Sequence, residues 1–149
     1  MLNKFAAVTP AGYYPLDGFC FDERCDDEPI QDRDDLYDEN IAERADEFVR
    51  QCYEQAKLYD GDIMLTMGGD FMFSNAFQFF KNTEKLMKYI NERQDKYKIH
   101  LFYSSPAAYF ESKAQMDGHQ WTQNVNDFFP YVSAIQVKPL SCKMILILG

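Results

Sequence analysis

The chain has 149 residues, the length of one ordinary domain, and its 46% hydrophobic and 16% aromatic content argues against a disordered protein. Its formal net charge of −9 argues against a nucleic-acid partner, because phosphate binding needs clustered lysines and arginines. Apolar runs fall short of the roughly 18 residues that a membrane-spanning helix needs, so we expect no membrane partner.

The first 38 residues predict an irregular segment, because prolines and glycines interrupt them and their apolar residues follow no steady period. Such a segment is unusual in a small domain, so we expect it to pack on something outside this chain. The apolar run at residues 1–9 is too short for a signal peptide. This indicates either a cytosolic protein or a chain that begins inside a larger one.

Acidic residues are concentrated in one stretch, residues 17–47, which carries 14 acids and three arginines. A solvated loop followed by the polar face of a helix explains this pattern. The alternative is an EF-hand calcium loop starting at Asp32, but Tyr37 stands where such a loop needs glycine.

Hydrophobic periodicity predicts helices and strands in alternation along the rest of the chain. The predicted order is helix 39–59, strand 62–67, helix 74–95 with a break near 82–83, strand 99–103 and helix 105–116. The first helix has an apolar stripe of Ile41, Ala45, Phe48, Val49, Cys52, Tyr53 and Ala56. The second has a predicted buried side of Phe77, Phe80, Leu86, Tyr89 and Ile90. The fold class is therefore α/β with a parallel sheet, and because two strands alone are not stable, the chain is expected to be part of a larger barrel or open sheet.

Functional groups in parallel α/β folds gather beyond the carboxyl ends of strands, and polar residues follow both predicted strands. Asp70 comes after Gly68 and Gly69, which let the backbone approach a ligand; the alternative is that Asp70 caps the next helix. Ser104 and Ser105 follow the second strand, where capping is the simpler explanation.

Asp127 is placed directly before two phenylalanines and close to Pro130 and Tyr131. Such neighbours would desolvate the carboxylate and raise its pKa toward the range of a general acid. The alternative is a turn-capping aspartate whose aromatic neighbours fill a core. His100 and His119 have no partner at metal-ligand spacing, and Cys20 and Cys25 fit either a small-loop disulfide or free thiols.

Five short motifs, taken together and in order, resemble one family. They are residues 20–26 (CFDERCD), 66–71 (TMGGDF), 80–86 (FKNTEKL), 103–109 (YSSPAAY) and 127–131 (DFFPY). In this combination the chain resembles the lysosomal-type α-mannosidases of glycoside hydrolase family 38.

The resemblance implies a distorted parallel α/β barrel, of which residues 1–131 would be an incomplete piece. It implies retaining hydrolysis of α-mannosides, with mannose-containing oligosaccharides as substrates and a zinc cofactor in the site. Asp127 matches the family's acid/base carboxylate, and Asp70 and Phe73 match the region near the substrate. Cys20 and Cys25 match a disulfide of lysosomal members, and the full-length parent is expected in a lysosome or secreted.

The sequence also departs from the family. The family's zinc-binding histidines and its nucleophilic aspartate lie in segments that do not match this chain, so we predict no metal ligands here and an inactive chain that lacks parts of its own catalytic domain. Residues 132–149 diverge from the family and are expected not to belong to the domain. The remaining alternative is a non-catalytic, acidic α/β interaction module.

Overall fold

The computed structural model describes residues 12–35, 37–59, 61–116 and 144–147, the last of these as backbone only. Within these ranges the elements are helix α1 (Ile41–Ala56), strand β1 (Ile63–Thr66), helices α2 (Ala76–Asn91), α3 (Gln94–Tyr97) and α4 (Pro106–Ala114), and strand β2 (Met144–Ile147). The two strands pair in parallel, with Ile63 opposite Met144 and Thr66 opposite Ile147. The predicted mixture of helices and strands is confirmed, and β2 lies in the divergent tail.

Helix α1 forms because its apolar residues recur at helical spacing and bury one face. The predicted stripe is confirmed except at Tyr53, which is 39% exposed and donates a hydrogen bond of 2.6 Å to the carbonyl oxygen of Tyr97. Asn40 precedes the helix, but its side chain accepts from the backbone N–H of Gln31 and donates to the carbonyl of Pro29. Asn40 thus fastens the preceding loop to the start of α1.

The irregular N-terminal segment packs on this chain's own helices, which corrects the expectation that it needs a surface elsewhere. Leu16 and Ile30 are buried in the main core. Phe19 meets Phe48 of α1 edge to face with ring centroids 5.0 Å apart, and Phe21 meets Phe79 of α2 at 5.9 Å. The segment therefore covers α1 and α2 and contributes large side chains to the core.

Helix α2 ends at Asn91 and continues unbroken through residues 82–83, so the predicted break is wrong. The side chain of Asn82 donates to the carbonyl of Gln78, and the Thr83 hydroxyl donates to that of Phe79. These polar side chains can lie in the helix because carbonyl groups of the preceding turn accept their hydrogen bonds.

The predicted buried side of α2 is confirmed at Leu86 and Ile90, and Tyr89 is partly buried against the core, but Phe77 is 74% exposed and Phe80 is also exposed. Asn82 faces inward instead, and its Oδ1 accepts the backbone N–H of Ile30 at 2.7 Å. A buried N–H needs a partner, and Asn82 supplies it from the buried face of α2.

The prediction of a second strand at 99–103 is wrong: residues 99–102 form no regular element, and Tyr103 forms an isolated bridge. Ile99 and Leu101 are nevertheless buried, as the alternating pattern predicts. The side-chain amide of Asn91 donates to the carbonyl of Leu101 and accepts its N–H, both at 2.8 Å. The Asn91 side chain thereby makes the two backbone hydrogen bonds with Leu101 that a neighbouring strand would otherwise provide.

Helix α4 begins as predicted. Pro106 is its first residue, and the Ser105 hydroxyl oxygen accepts the N–H of Ala108. In the described part of the chain, no helix combines the length and apolar character needed to cross a bilayer.

Candidate functional site

The site begins where β1 ends. After Thr66 the backbone passes through Gly68 and Gly69 to a turn at Asp70 and Phe71. A Cβ on Gly69 would lie 2.6 Å from the Cε of Met72, so a larger residue would require the end of that side chain to move. Phe71 and Phe73 have positive φ angles of 60° and 67°, an uncommon conformation for non-glycine residues. The turn is therefore closely packed and backbone-strained.

Asp70 is exposed at this turn and is held by a tyrosine from the N-terminal segment. The Tyr13 hydroxyl donates a 2.8 Å hydrogen bond to Oδ1 of Asp70. This bond to a carboxylate is the largest cause of a rise in the pKa of Tyr13 to about 12. Asp70 does not cap the next helix, because Asn75 occupies the position before α2.

Residues 12–14 are attached to the end of β1 by Thr66. Its hydroxyl lies 3.1 Å from the carbonyl oxygen of Gly12 and 3.3 Å from that of Tyr14, to which it can donate. The rings of Tyr13 and Tyr14 stack with centroids 4.9 Å apart. Thr66 therefore places two half-exposed aromatic rings beside Asp70.

Two phenylalanines flank the turn in different ways. Phe73, which the family resemblance places near the substrate, is only partly buried, but its ring packs on Phe79 at 4.8 Å and belongs to the edge of the core. Phe71 is 78% exposed, and the guanidinium carbon of Arg24 lies 5.3 Å from its ring centroid. Of these two rings, that of Phe71, the residue directly after Asp70, is the one that faces solvent.

Asp22 is a residue that the sequence interpretation did not single out, and it connects two of the quoted motifs. It is 4% exposed, and its Oδ2 accepts the backbone N–H of Phe73 at 2.7 Å while Oδ1 accepts that of Arg24. The signal available in the sequence was an aspartate between two cysteines, a common position for a side chain that closes a turn. No local sequence pattern predicts the hydrogen bond between Asp22 and Phe73, which are 51 residues apart.

The structure joins Cys20 and Cys25 in a disulfide, with their Cα atoms 5.8 Å apart. The Cys20 N–H donates to the carboxylate of Asp27 at 2.8 Å. The disulfide loop contains Asp22, so it presents that carboxylate to the turn that follows β1.

The remaining candidates lie elsewhere. Ser105 caps α4, and the Ser104 hydroxyl lies 3.5 Å from the carbonyl oxygen of Ser105. His100 is exposed, with its ring 5.6 Å from that of Phe102. Asp127 and His119 lie outside the described residues. Of the predicted substrate-binding pair, Asp70 and Phe73 belong to the same turn, but only Asp70 is exposed.

The described residues contain no group of three or more histidine, cysteine, aspartate or glutamate side chains that could hold a metal ion. Among the described residues, the potential ligands recorded at Asp70 are its own carboxylate and the Tyr13 phenol that already donates to it. This arrangement does not fit a zinc site.

Comparison with known proteins matches residues 4–134 to the family model "Glycosyl hydrolases family 38 N-terminal domain". Lysosomal alpha-mannosidase from Dictyostelium discoideum is 37% identical over 129 residues, which cover 85% of this chain and 12% of that protein. Lysosomal alpha-mannosidase from Homo sapiens is 35% identical over 133 residues, covering 87% of this chain and 13% of that protein. Alpha-mannosidase from Canavalia ensiformis is 35% identical over 128 residues, covering 85% and 13% respectively.

This chain therefore spans about an eighth of the length of these relatives. The family match nevertheless includes the disulfide loop, β1, the Asp70 turn and the Asp127 motif in one continuous segment. The chain belongs to glycosyl hydrolases family 38 and carries a segment of its N-terminal domain.

Proposed function

We propose that residues 1–131 are a piece of the catalytic domain of a retaining α-mannosidase, and that residues 132–149 diverge from it. The observation that carries this proposal is the continuous family match over residues 4–134, together with relatives named as alpha-mannosidases. Within the matched residues, the order of helix α1, strand β1 and helix α2 is consistent with a segment of a distorted α/β barrel. The substrates would be mannose-containing oligosaccharides.

In this proposal Asp127 is the acid/base residue. Its carboxylic acid donates a proton to the glycosidic oxygen as the bond from that oxygen to the anomeric carbon breaks, and a nucleophilic carboxylate outside this chain forms a bond to the same carbon. The Asp127 carboxylate then takes a proton from a water molecule, which attacks the anomeric carbon and displaces the nucleophilic carboxylate. Its aromatic neighbours in sequence support the role, because desolvation favours the protonated form.

Asp70 would bind the sugar rather than react with it. Its exposed carboxylate can accept hydrogen bonds from sugar hydroxyls, and the neighbouring Phe71 ring offers an apolar face to the C–H side of a sugar. Phe73 would contribute through its backbone and by supporting the turn. Zinc, which the family resemblance implies, would be bound by residues outside this chain.

The disulfide between Cys20 and Cys25 supports a lysosomal or secreted parent protein. Disulfides persist in oxidising compartments and are rare in the cytosol. The names of two of the relatives, lysosomal alpha-mannosidases, agree with this assignment.

A segment exchange tests the proposal. Residues 4–134 of this chain replace the matching segment of the Dictyostelium enzyme, and hydrolysis of an aryl α-mannoside is measured. We expect the exchanged enzyme to be active and Asp127→Asn to lower kcat by about 100-fold or more, as loss of a general acid does. Asp95→Asn, which removes an exposed charge in α3, is the matched control and should leave kcat unchanged.

Residues 1–149 by themselves should give no turnover, since this proposal places the nucleophile outside them. A folded exchanged enzyme that keeps its rate after Asp127→Asn would refute the acid/base assignment. Sequencing the transcript on both sides of this segment separates the enzyme from a non-catalytic interaction module. Flanking exons that encode metal-binding histidines would support the enzyme.

A further inference from the structure

A polar contact near the carboxyl end of β1 joins two residues that are 57 positions apart. The hydroxyl of Tyr13 donates to Oδ1 of Asp70 at 2.8 Å. Both side chains are exposed, so neither burial nor core packing explains why they meet. An exposed side chain held in one position by a distant residue is typical of a binding site that is preorganised.

The segment that carries Tyr13 is itself held in place. Thr66, the last residue of β1, has its hydroxyl within hydrogen-bond distance of the carbonyls of Gly12 and Tyr14, one on each side of Tyr13. Tyr14 stacks on the Tyr13 ring. Gly12 has a φ of +63°, a conformation that glycine adopts without strain. The strand therefore fixes both partners, Tyr13 through Thr66 and Asp70 through the turn.

The contact leaves part of the carboxylate available. Oδ1 of Asp70 accepts from Tyr13, while Oδ2 has no hydrogen-bond partner among the residues that the structure describes. A carboxylate with one oxygen anchored and the other open can accept a hydroxyl proton from a ligand in a fixed direction.

We propose that Tyr13 is a positioning residue that orients the Asp70 carboxylate for hydrogen bonding to a sugar hydroxyl. This inference rests on the proposed function, in which Asp70 binds mannose. The ligand class is a pyranoside with a free hydroxyl pair, because such a ligand can bond to Oδ2 while its C–H face lies on an exposed aromatic ring.

The direct evidence for the contact would be the ionisation of Tyr13. The hydrogen bond to the Asp70 carboxylate, the contact with the Tyr14 hydroxyl and a small desolvation raise its pKa to about 12 from the ordinary 10.0. In the full chain with ¹³Cζ-labelled tyrosine, the Tyr13 resonance should remain that of a phenol at a pH about one unit above the ordinary value of 10.0. Asp70→Asn should move the midpoint of Tyr13 down toward 10.0.

The functional evidence is binding of methyl α-D-mannopyranoside to the full chain, measured by saturation-transfer NMR, with the glucose epimer as comparison. Tyr13→Phe keeps the ring but removes the hydroxyl, and it should weaken mannoside binding by about three- to tenfold, the net effect of one typical hydrogen bond. Asp70→Asn should weaken binding further, and the double variant should match Asp70→Asn alone. Tyr37→Phe, at a fully exposed tyrosine, is the control and should have no effect.

Unchanged binding in Tyr13→Phe, with binding lost in Asp70→Asn, would overturn the inference and leave the proposed function standing. A wild-type chain that binds neither epimer would also overturn it, because no ligand site would then exist on these residues. The segment exchange decides the proposed function independently, since it depends on Asp127 and not on Tyr13.

Discussion

Asp22 illustrates how one buried carboxylate can organise a site without belonging to it. Its two oxygens accept the N–H groups of Arg24 and Phe73, so it closes the disulfide loop and holds the strained turn after β1. Hydrogen bonds to a charged acceptor are stronger than neutral ones, which suits a turn that contains two residues with positive φ.

We predict that Asp22→Ala lowers the free energy of unfolding by about 1–3 kcal/mol, because the N–H of Phe73 loses its only acceptor among the described residues. Urea unfolding of the two chains measures this difference. Asp26→Ala, four residues further along and exposed, is the control and should stay within about 0.5 kcal/mol of wild type. Equal losses in both variants would mean that charge, not the hydrogen bond, is responsible.

At the scale of elements, side chains provide many of the connections that hold neighbouring segments together. Asp46 of α1 accepts from the Tyr97 hydroxyl at 2.7 Å and pairs with Lys96, which attaches α3 to α1. The hydrogen bond from Lys96, followed by that from Tyr97, lowers the pKa of Asp46. The Asn91 side chain likewise attaches the segment after α3 to α2, through its two hydrogen bonds with the backbone of Leu101.

Asn91→Ala should therefore loosen the segment at residues 99–103 while leaving α2 formed. Both backbone groups of buried Leu101 lose their partner, which should lower the free energy of unfolding by about 1–3 kcal/mol. Native-state hydrogen exchange should show faster exchange of the Leu101 amide.

The matched control is Asn75→Ala at the other end of α2, where the side chain makes no capping hydrogen bond. Leu101 exchange should be unaffected there. If the Leu101 amide stayed protected in Asn91→Ala, another acceptor must satisfy it, and the role given to Asn91 would be wrong.

At the scale of the whole molecule, the chain has a main core but also an exposed aromatic surface. Phe77 and Phe80 project from the outer face of α2, and the ring of Phe80 meets that of half-exposed Tyr103 at 5.9 Å. Clustered exposed rings are unusual for a free-standing domain and indicate a surface that meets another part of a larger structure. This agrees with a chain that spans 12–13% of its relatives.

The isolated chain should therefore bind the hydrophobic dye ANS through this surface. Replacing both phenylalanines, Phe77→Gln and Phe80→Gln, should reduce ANS fluorescence several-fold and leave the circular dichroism spectrum unchanged, because neither ring is buried. Tyr37→Ser, at a single fully exposed ring, should change neither. Undiminished dye binding in the double variant would place the accessible apolar surface elsewhere.

The sequence by itself determined the features that depend on local pattern. The apolar period of α1, the Ser105–Pro106 start of α4, the run that forms β1 and the ordered motifs of the family all follow from neighbouring residues. Only the tertiary structure decided that Asn82 lies on the buried face of α2, where its Oδ1 accepts the N–H of Ile30, 52 residues away in the sequence. The same holds for Asn91 and Leu101, for Asp22 and Phe73, and for Tyr13 and Asp70. Each of these pairs satisfies a hydrogen-bonding group of a distant residue, and no local pattern identifies which partner the fold brings within reach.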